Sequence, residues 1–85
     1  MFFMDLSLIG FLKDGKYRIK ILEELNKAPN LPSELSKKLN IHRASVSRIL
    51  KMLNEKQLVE SHSKRSRTTI YSISSKGKKI LEEIL

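Results

Sequence analysis

The chain has 85 residues, no cysteine, and a formal charge of +8 from 17 Lys and Arg against 9 Asp and Glu. That length is one domain, near the lower limit of what a hydrophobic core sustains unaided. The missing cysteines exclude a disulfide framework and any thiolate metal site. So large a positive excess on so small a chain points to a polyanionic partner.

The N-terminal run "MFFMDLSLIGFLKDG" has no basic region before it and no small-residue cleavage pattern after it. No apolar stretch approaches the ~20 residues needed to cross a bilayer, so a soluble, cytoplasmic protein is expected. Phe2, Phe3, Leu6, Leu8, Ile9, Phe11 and Leu12 spread around every side of a helical wheel. With Asp5 as N-cap, a short helix is expected up to about Lys13, ending near Asp14 and Gly15. A helix apolar all round requires cover on more than one side, so the arm 1–15 either lies on its own domain or serves as a dimerisation element, with the C-terminal helix as an additional or alternative dimer contact.

"KYRIKILEELNKA" sets Tyr17, Ile21, Leu22 and Leu25 on one face, and Pro29 stops that helix. "LPSELSKKLN" places Leu31, Leu35 and Leu39 at i, i+4 and i+8, with Pro32 suited to the first helical position. A tight connection around Asn40 and Ile41 leads into a helix predicted over residues 43–56. Its apolar stripe is Val46, Ile49, Leu50 and Leu53. With that stripe inward, Ala44, Arg48, Lys51 and Glu55 point out, flanked by Ser45 and Ser47.

The period then changes. "LVESHS" and "TTIYSIS" carry β-branched and aromatic residues, and Tyr71 and Ile73 alternate on one face as core positions. The basic "KRSRT" between them makes the tip of a hairpin, with residues 63–68 as its wing. "SSKGKKILEEIL" returns to helical spacing, with Ser74 as N-cap and a final helix to Leu85. The predicted architecture is α+β: a helical core with a two-stranded β-hairpin wing and additional N-terminal and C-terminal helices, all in one domain, 1–85.

A short helix, a tight connection and a second helix with a polar outer face form a helix-turn-helix, and the hairpin after it makes the winged form. The major groove of B-DNA, roughly 12 Å wide, admits one α-helix whose exposed side chains meet base edges. Ala44, Ser45 and Ser47 are small enough to let the helix approach closely. Arg43 and Arg48 reach guanine or phosphate, and Lys51 is a point charge suited to phosphate. Residues 43–67 hold seven basic side chains against two acidic ones, while Glu23, Glu24, Glu82 and Glu83 lie on helices elsewhere. Such segregation of charge favours contact with DNA over a merely solvated face.

"LPSELSKKLNIHRASVSRILKMLNEKQLVE" and "TTIYSISSKGKKILEEIL" resemble the winged helix-turn-helix transcription regulators of the multiple-antibiotic-resistance (MarR) type and their small archaeal relatives. The likeness runs from about Lys16 to Leu85. It implies a homodimeric regulator associated with the nucleoid, reading near-palindromic double-stranded DNA. Base contact from Arg43, Ala44, Ser47 and Arg48 is implied, with phosphate contact from Ser33, Ser45 and Lys51. The tip residues Lys64, Arg65 and Arg67 would lie along or inside the minor groove. Leu31 stands where such sequences usually carry a Thr or Ser cap, a loss of about 1 kcal/mol. Gln57 replaces the usual glycine after the recognition helix, where a left-handed residue other than glycine costs about 1 kcal/mol. The terminal helices are short for the family, so no private small-molecule effector pocket is expected.

The remaining motifs are quiet. His42 and His62 lie twenty residues apart with no cysteine, which is no metal-ligand spacing. The pairs Glu23–Glu24 and Glu82–Glu83 sit beside lysines as solvated helix-surface charges. Neither a catalytic constellation nor a cofactor-binding loop is present in the sequence. The alternative to DNA binding is a winged-helix adaptor that docks another protein, a role in which the basic excess would usually be lost.

Overall fold

A computed structural model describes residues 5–63 and 68–84. Its first helix, α1 (Leu6–Lys13), starts where Asp5 Oδ1 accepts the Leu8 N–H at 3.0 Å. Leu8 and Leu12 are buried, but Leu6 stays 72% exposed, so α1 is covered along one side only. The chain's own core supplies the cover on that side, with Ile9 and Phe11 also packed against it, and leaves the Leu6 side uncovered. Phe2 and Phe3 lie outside the described residues.

The second helix, α2 (Arg18–Lys27), contributes Ile21, Leu22 and Leu25 to the core. It begins at Arg18, because Lys16 and Tyr17 form the turn leading into it. Between α2 and the next helix, Asn30 is 3% exposed and fully bonded. Its backbone exchanges two hydrogen bonds with Tyr71, at 3.0 and 2.9 Å. Its side chain donates to Ala28 O at 3.0 Å and accepts from Lys38 Nζ at 3.0 Å. This isolated bridge fastens the link between helices to the sheet.

Pro32 opens α3 (Pro32–Leu39) as expected. Leu31 offers no side-chain acceptor, but Glu34 Oε1 accepts the Leu31 N–H at 2.8 Å, which is the carboxylate half of a capping box. The turn after α3 is set by Asn40 in the left-handed region at φ 55°. There the Ile41 N–H returns to Ser36 O at 3.2 Å and Ser36 Oγ donates to Ile41 O at 2.6 Å.

The following helix, α4 (Arg43–Glu55), buries Val46, Leu50 and Leu53 with Ile49 half-buried, the stripe read from spacing. Lys56 caps α4, one residue earlier than the predicted end. Gln57 adopts φ 64°, the left-handed conformation anticipated at that position. It closes a Schellman turn in which Gln57 N–H reaches Asn54 O at 3.0 Å and Leu58 N–H reaches Leu53 O at 2.9 Å. Those two bonds and the full burial of Leu58 offset the local strain.

Strands β1 (Val59–Ser63) and β2 (Thr69–Ile73) pair antiparallel, with Val59 opposite Ile73, Ser61 opposite Tyr71 and Ser63 opposite Thr69. Leu58, placed in the strand by its composition, is instead the buried end of the Schellman turn. Only Val59 of β1 is buried, because the hairpin leaves the core after its first pair. Tyr71 is half-buried against the core and bonded to Asn30, in line with its reading as a core residue.

The last helix, α5 (Ser75–Ile84), is capped by Ser74, whose Oγ accepts the Gly77 N–H at 3.0 Å and donates to Gln57 O at 2.7 Å. Helices α1 to α5 with the β1–β2 wing form a winged helix-turn-helix. Gly77 backs directly onto the Leu58 carbonyl, and a Cβ there would collide with it. Alanine is the better helix former by roughly 1 kcal/mol, yet Gly77→Ala is expected to destabilise the domain by about 1–3 kcal/mol through overpacking. Urea denaturation measures the sign directly.

Candidate nucleic-acid interface

The outer face of α4 is formed by what its buried stripe leaves over. Arg43, Ala44, Ser47, Arg48, Lys51 and Glu55 are all exposed, and Ser45 is half-buried on one flank. Small residues therefore alternate with cations along two and a half turns of helix, with α3 and the Asn40 turn fixing the helix at its start. His42 is the N-cap of α4 but makes no side-chain capping bond there. None of Arg43, Arg48 and Lys51 takes part in an ion pair: among the described residues the one such pair is Lys27–Glu24, at 3.1 Å on α2.

Two grooves border this face. On one side Arg43 shares a groove with Ser33, in the first turn of α3, and with Thr68, Thr69 and Tyr71 at the base of the hairpin. Ser33 and Arg43, far apart in sequence, are thus brought to one place. On the other side Ser45 and Arg48 share a groove with Met52 and with Lys16 and Tyr17 ahead of α2. Lys64, Arg65 and Arg67 lie outside the described residues. The stem that carries them is described: the Ser63 and Thr69 hydroxyls lie 3.4 Å apart, and His62 Nε2 lies 3.0 Å from Ser72 Oγ.

Sequence reasoning missed the groove residues Thr68, Thr69 and Tyr71, and it missed Arg18. The Arg18 guanidinium stacks on Phe11, 4.2 Å from the ring centroid, and donates to Phe11 O at 2.6 Å. Its Nη2 also lies 4.0 Å from Met52 Sδ, so one side chain joins α1, α2 and α4. A lone arginine on a charged helix carries no signal of that role. Among the described residues no group of three or more His, Cys, Asp or Glu could hold a metal ion, and no helix is long and apolar enough to cross a membrane.

The geometry suits a surface that approaches a polyanion closely and touches it with unpaired cations. Known proteins of the same shape agree on the fold. The family described as the HVO_A0261 N-terminal domain matches residues 6–84. No curated protein matches the chain. A cysteine variant of ZitR from Lactococcus lactis, solved in complex with DNA, superposes with a TM-score of 0.74 and 25% identity over 81% of this chain and 49% of that one. A cysteine variant of MarR from E. coli, complexed with operator DNA, gives 0.77 and 24% identity over 88% and 56%. Reduced HlyU from Vibrio cholerae gives 0.75 and 22% identity over 92% and 83%. The chain spans about half the length of the ZitR and MarR chains. With its own helix-turn-helix and wing in the same arrangement, the chain belongs to the HVO_A0261 N-terminal domain family and has the MarR-type winged-helix fold.

Proposed function

We propose that this chain is a sequence-specific, double-stranded-DNA-binding transcription regulator that acts as a homodimer in the cytoplasm, on the nucleoid. The observation that carries the reading is the exposed outer face of α4, whose Arg43, Arg48 and Lys51 form no ion pair among the described residues and which is small enough at Ala44 and Ser47 to enter a major groove. Arg43 and Arg48 read base edges together with Ala44 and Ser47. Ser33, Ser45 and Lys51 contact phosphates, and Lys64, Arg65 and Arg67 contact the minor groove or backbone. MarR and ZitR, which share the fold, were solved on DNA, and this supports the assignment. No cofactor or metal and no catalytic step is part of the proposal.

Residues 1–85 act as one domain, with the arm 1–15 supplying the dimer contact. Exposed Leu6 is the observation that supports this, since Leu8 and Leu12 are already taken up by the chain's own core. The groove beside them, lined by Leu8, Lys76, Lys79 and Ile80, gives a second chain an apolar floor between α1 and α5. Two recognition helices would then read half-sites about 34 Å apart.

Duplex binding is expected to weaken with added salt along a log–log slope near −0.9 per phosphate neutralised. A flat response in fluorescence anisotropy would favour the protein-docking adaptor instead. Arg48→Ala should relax base preference in a selection from random duplexes, whereas Lys51→Ala should weaken all sequences about equally. Identical selection profiles for the two would reject their separate roles. Leu6→Glu changes the exposed first position of α1, where an acid suits the helix terminus. It should weaken the dimer at least about tenfold in sedimentation velocity without lowering the melting temperature. An unchanged dimer would move the interface away from α1.

A further inference from the structure

The recognition helix has two flanks, and Ser33, the described residue outside α4 to which a phosphate contact is assigned, lies on one of them. At 100° per residue, Arg43, Ser47 and Asn54 project toward one side of the exposed face, and Ser45 and Met52 toward the other. The grooves follow this division. Arg43 shares its groove with Ser33 and Thr69, whereas Ser45, Arg48 and Met52 share theirs with Gly15, Lys16 and Tyr17. A duplex seated on α4 presents a phosphate rim on each side of its major groove, roughly 12 Å apart. One rim meets α3 and the base of the hairpin. The other rim faces the turn that leads into α2.

That turn is charged for the task. Between Asp5 and Glu23 the sequence holds Lys13, Lys16, Arg18 and Lys20, with Asp14 as the single acid. Lys16 Nζ and Lys20 Nζ lie 5.4 and 5.7 Å from the centroid of the Tyr17 ring, so two exposed lysines converge on one aromatic side chain. Neither is in an ion pair among the described residues. Arg18 is engaged internally with Phe11 and Met52, and it fixes the turn rather than facing outward. Gly15 lies so close to the Arg18 side chain that a Cβ there would meet it, which places the loop carrying Lys16 directly against Arg18. Lys16 thus lines the groove beside Ser45 and Arg48, and Lys20 reaches the same Tyr17 ring from the first turn of α2.

Resting on the DNA-binding reading above, we propose that Lys16 and Lys20, held against Tyr17, contact phosphates on the α2 side of the recognition helix, the rim opposite Ser33 and Arg43. The DNA footprint then straddles α4, and the helix is clamped from both strands instead of leaning on one.

Anisotropy of a short labelled duplex through a potassium chloride series, with phosphate-ethylation interference on the same duplex, tests the proposal. The double variant Lys16→Gln, Lys20→Gln should reduce the magnitude of the log–log salt slope by about 0.9 per lysine. It should also lose ethylation interference on the α2-side rim alone. Lys27→Gln, at the far end of α2, removes one charge and should leave slope and footprint unchanged. Both lysines are exposed, so the double variant should melt as the parent does. A double variant with the parent's slope, or one that loses the rim at Ser33 instead, overturns the proposal while the DNA-binding reading stands. A parent protein whose affinity ignores salt removes both together.

Discussion

The direction in which α4 faces the outside depends on the carbonyl of Leu58. The recognition helix ends there, the hairpin starts there, and α5 is anchored there. Gln57 at φ 64° turns the chain so that the Leu58 side chain drops into the core. The Leu58 carbonyl accepts the Ser74 N–H at 3.0 Å and abuts Gly77. Ser74 Oγ in turn links Gln57 O to the Gly77 N–H. A buried polar junction is stabilising only when every member is bonded, and among the described residues no buried side-chain nitrogen or oxygen lacks a partner. The end of the recognition helix, the start of the wing and the start of α5 thus meet at this junction. Asn30 performs the matching task on the other edge of the hairpin, tying Tyr71 to the link between α2 and α3.

Elements whose cause is local were legible in the sequence. Asp5, Pro32 and Ser74 mark helix starts because each supplies its own stereochemistry or acceptor, and the stripe of α4 follows from a period of 3.6. The left-handed Gln57 was legible only through the resemblance, which puts a glycine at the end of the recognition helix where this chain has Gln57. The outward face of α4 could be named residue by residue, since a helical wheel converts sequence directly into direction.

Features created by distant partners were not legible. Asn30 in sequence is an isolated asparagine after a proline, and nothing near it announces a bridge to Tyr71. Gly77 in sequence is only a weak point in a helix; its close approach to Leu58 exists because α5 packs across the end of α4. Arg18 looks like any solvated cation until Phe11 and Met52 are brought to it. The groove beside Ser45 was hidden for a related reason, since it exists only where the turn before α2 is laid against α4. The first helix is apolar all round in sequence, but which of its sides its own domain covers depends on packing that periodicity does not encode.

Among the described residues Arg43, Arg48 and Lys51 form no ion pair, which has a consequence for the fold itself. Cations in excess of the acids beside them repel one another, and an ionic atmosphere relieves that repulsion within about 10 Å at 0.1 M. The protein standing alone is therefore a mildly self-opposed object, steadied by dissolved electrolyte. Once its surface is occupied by a polyanion, the same electrolyte becomes a competitor.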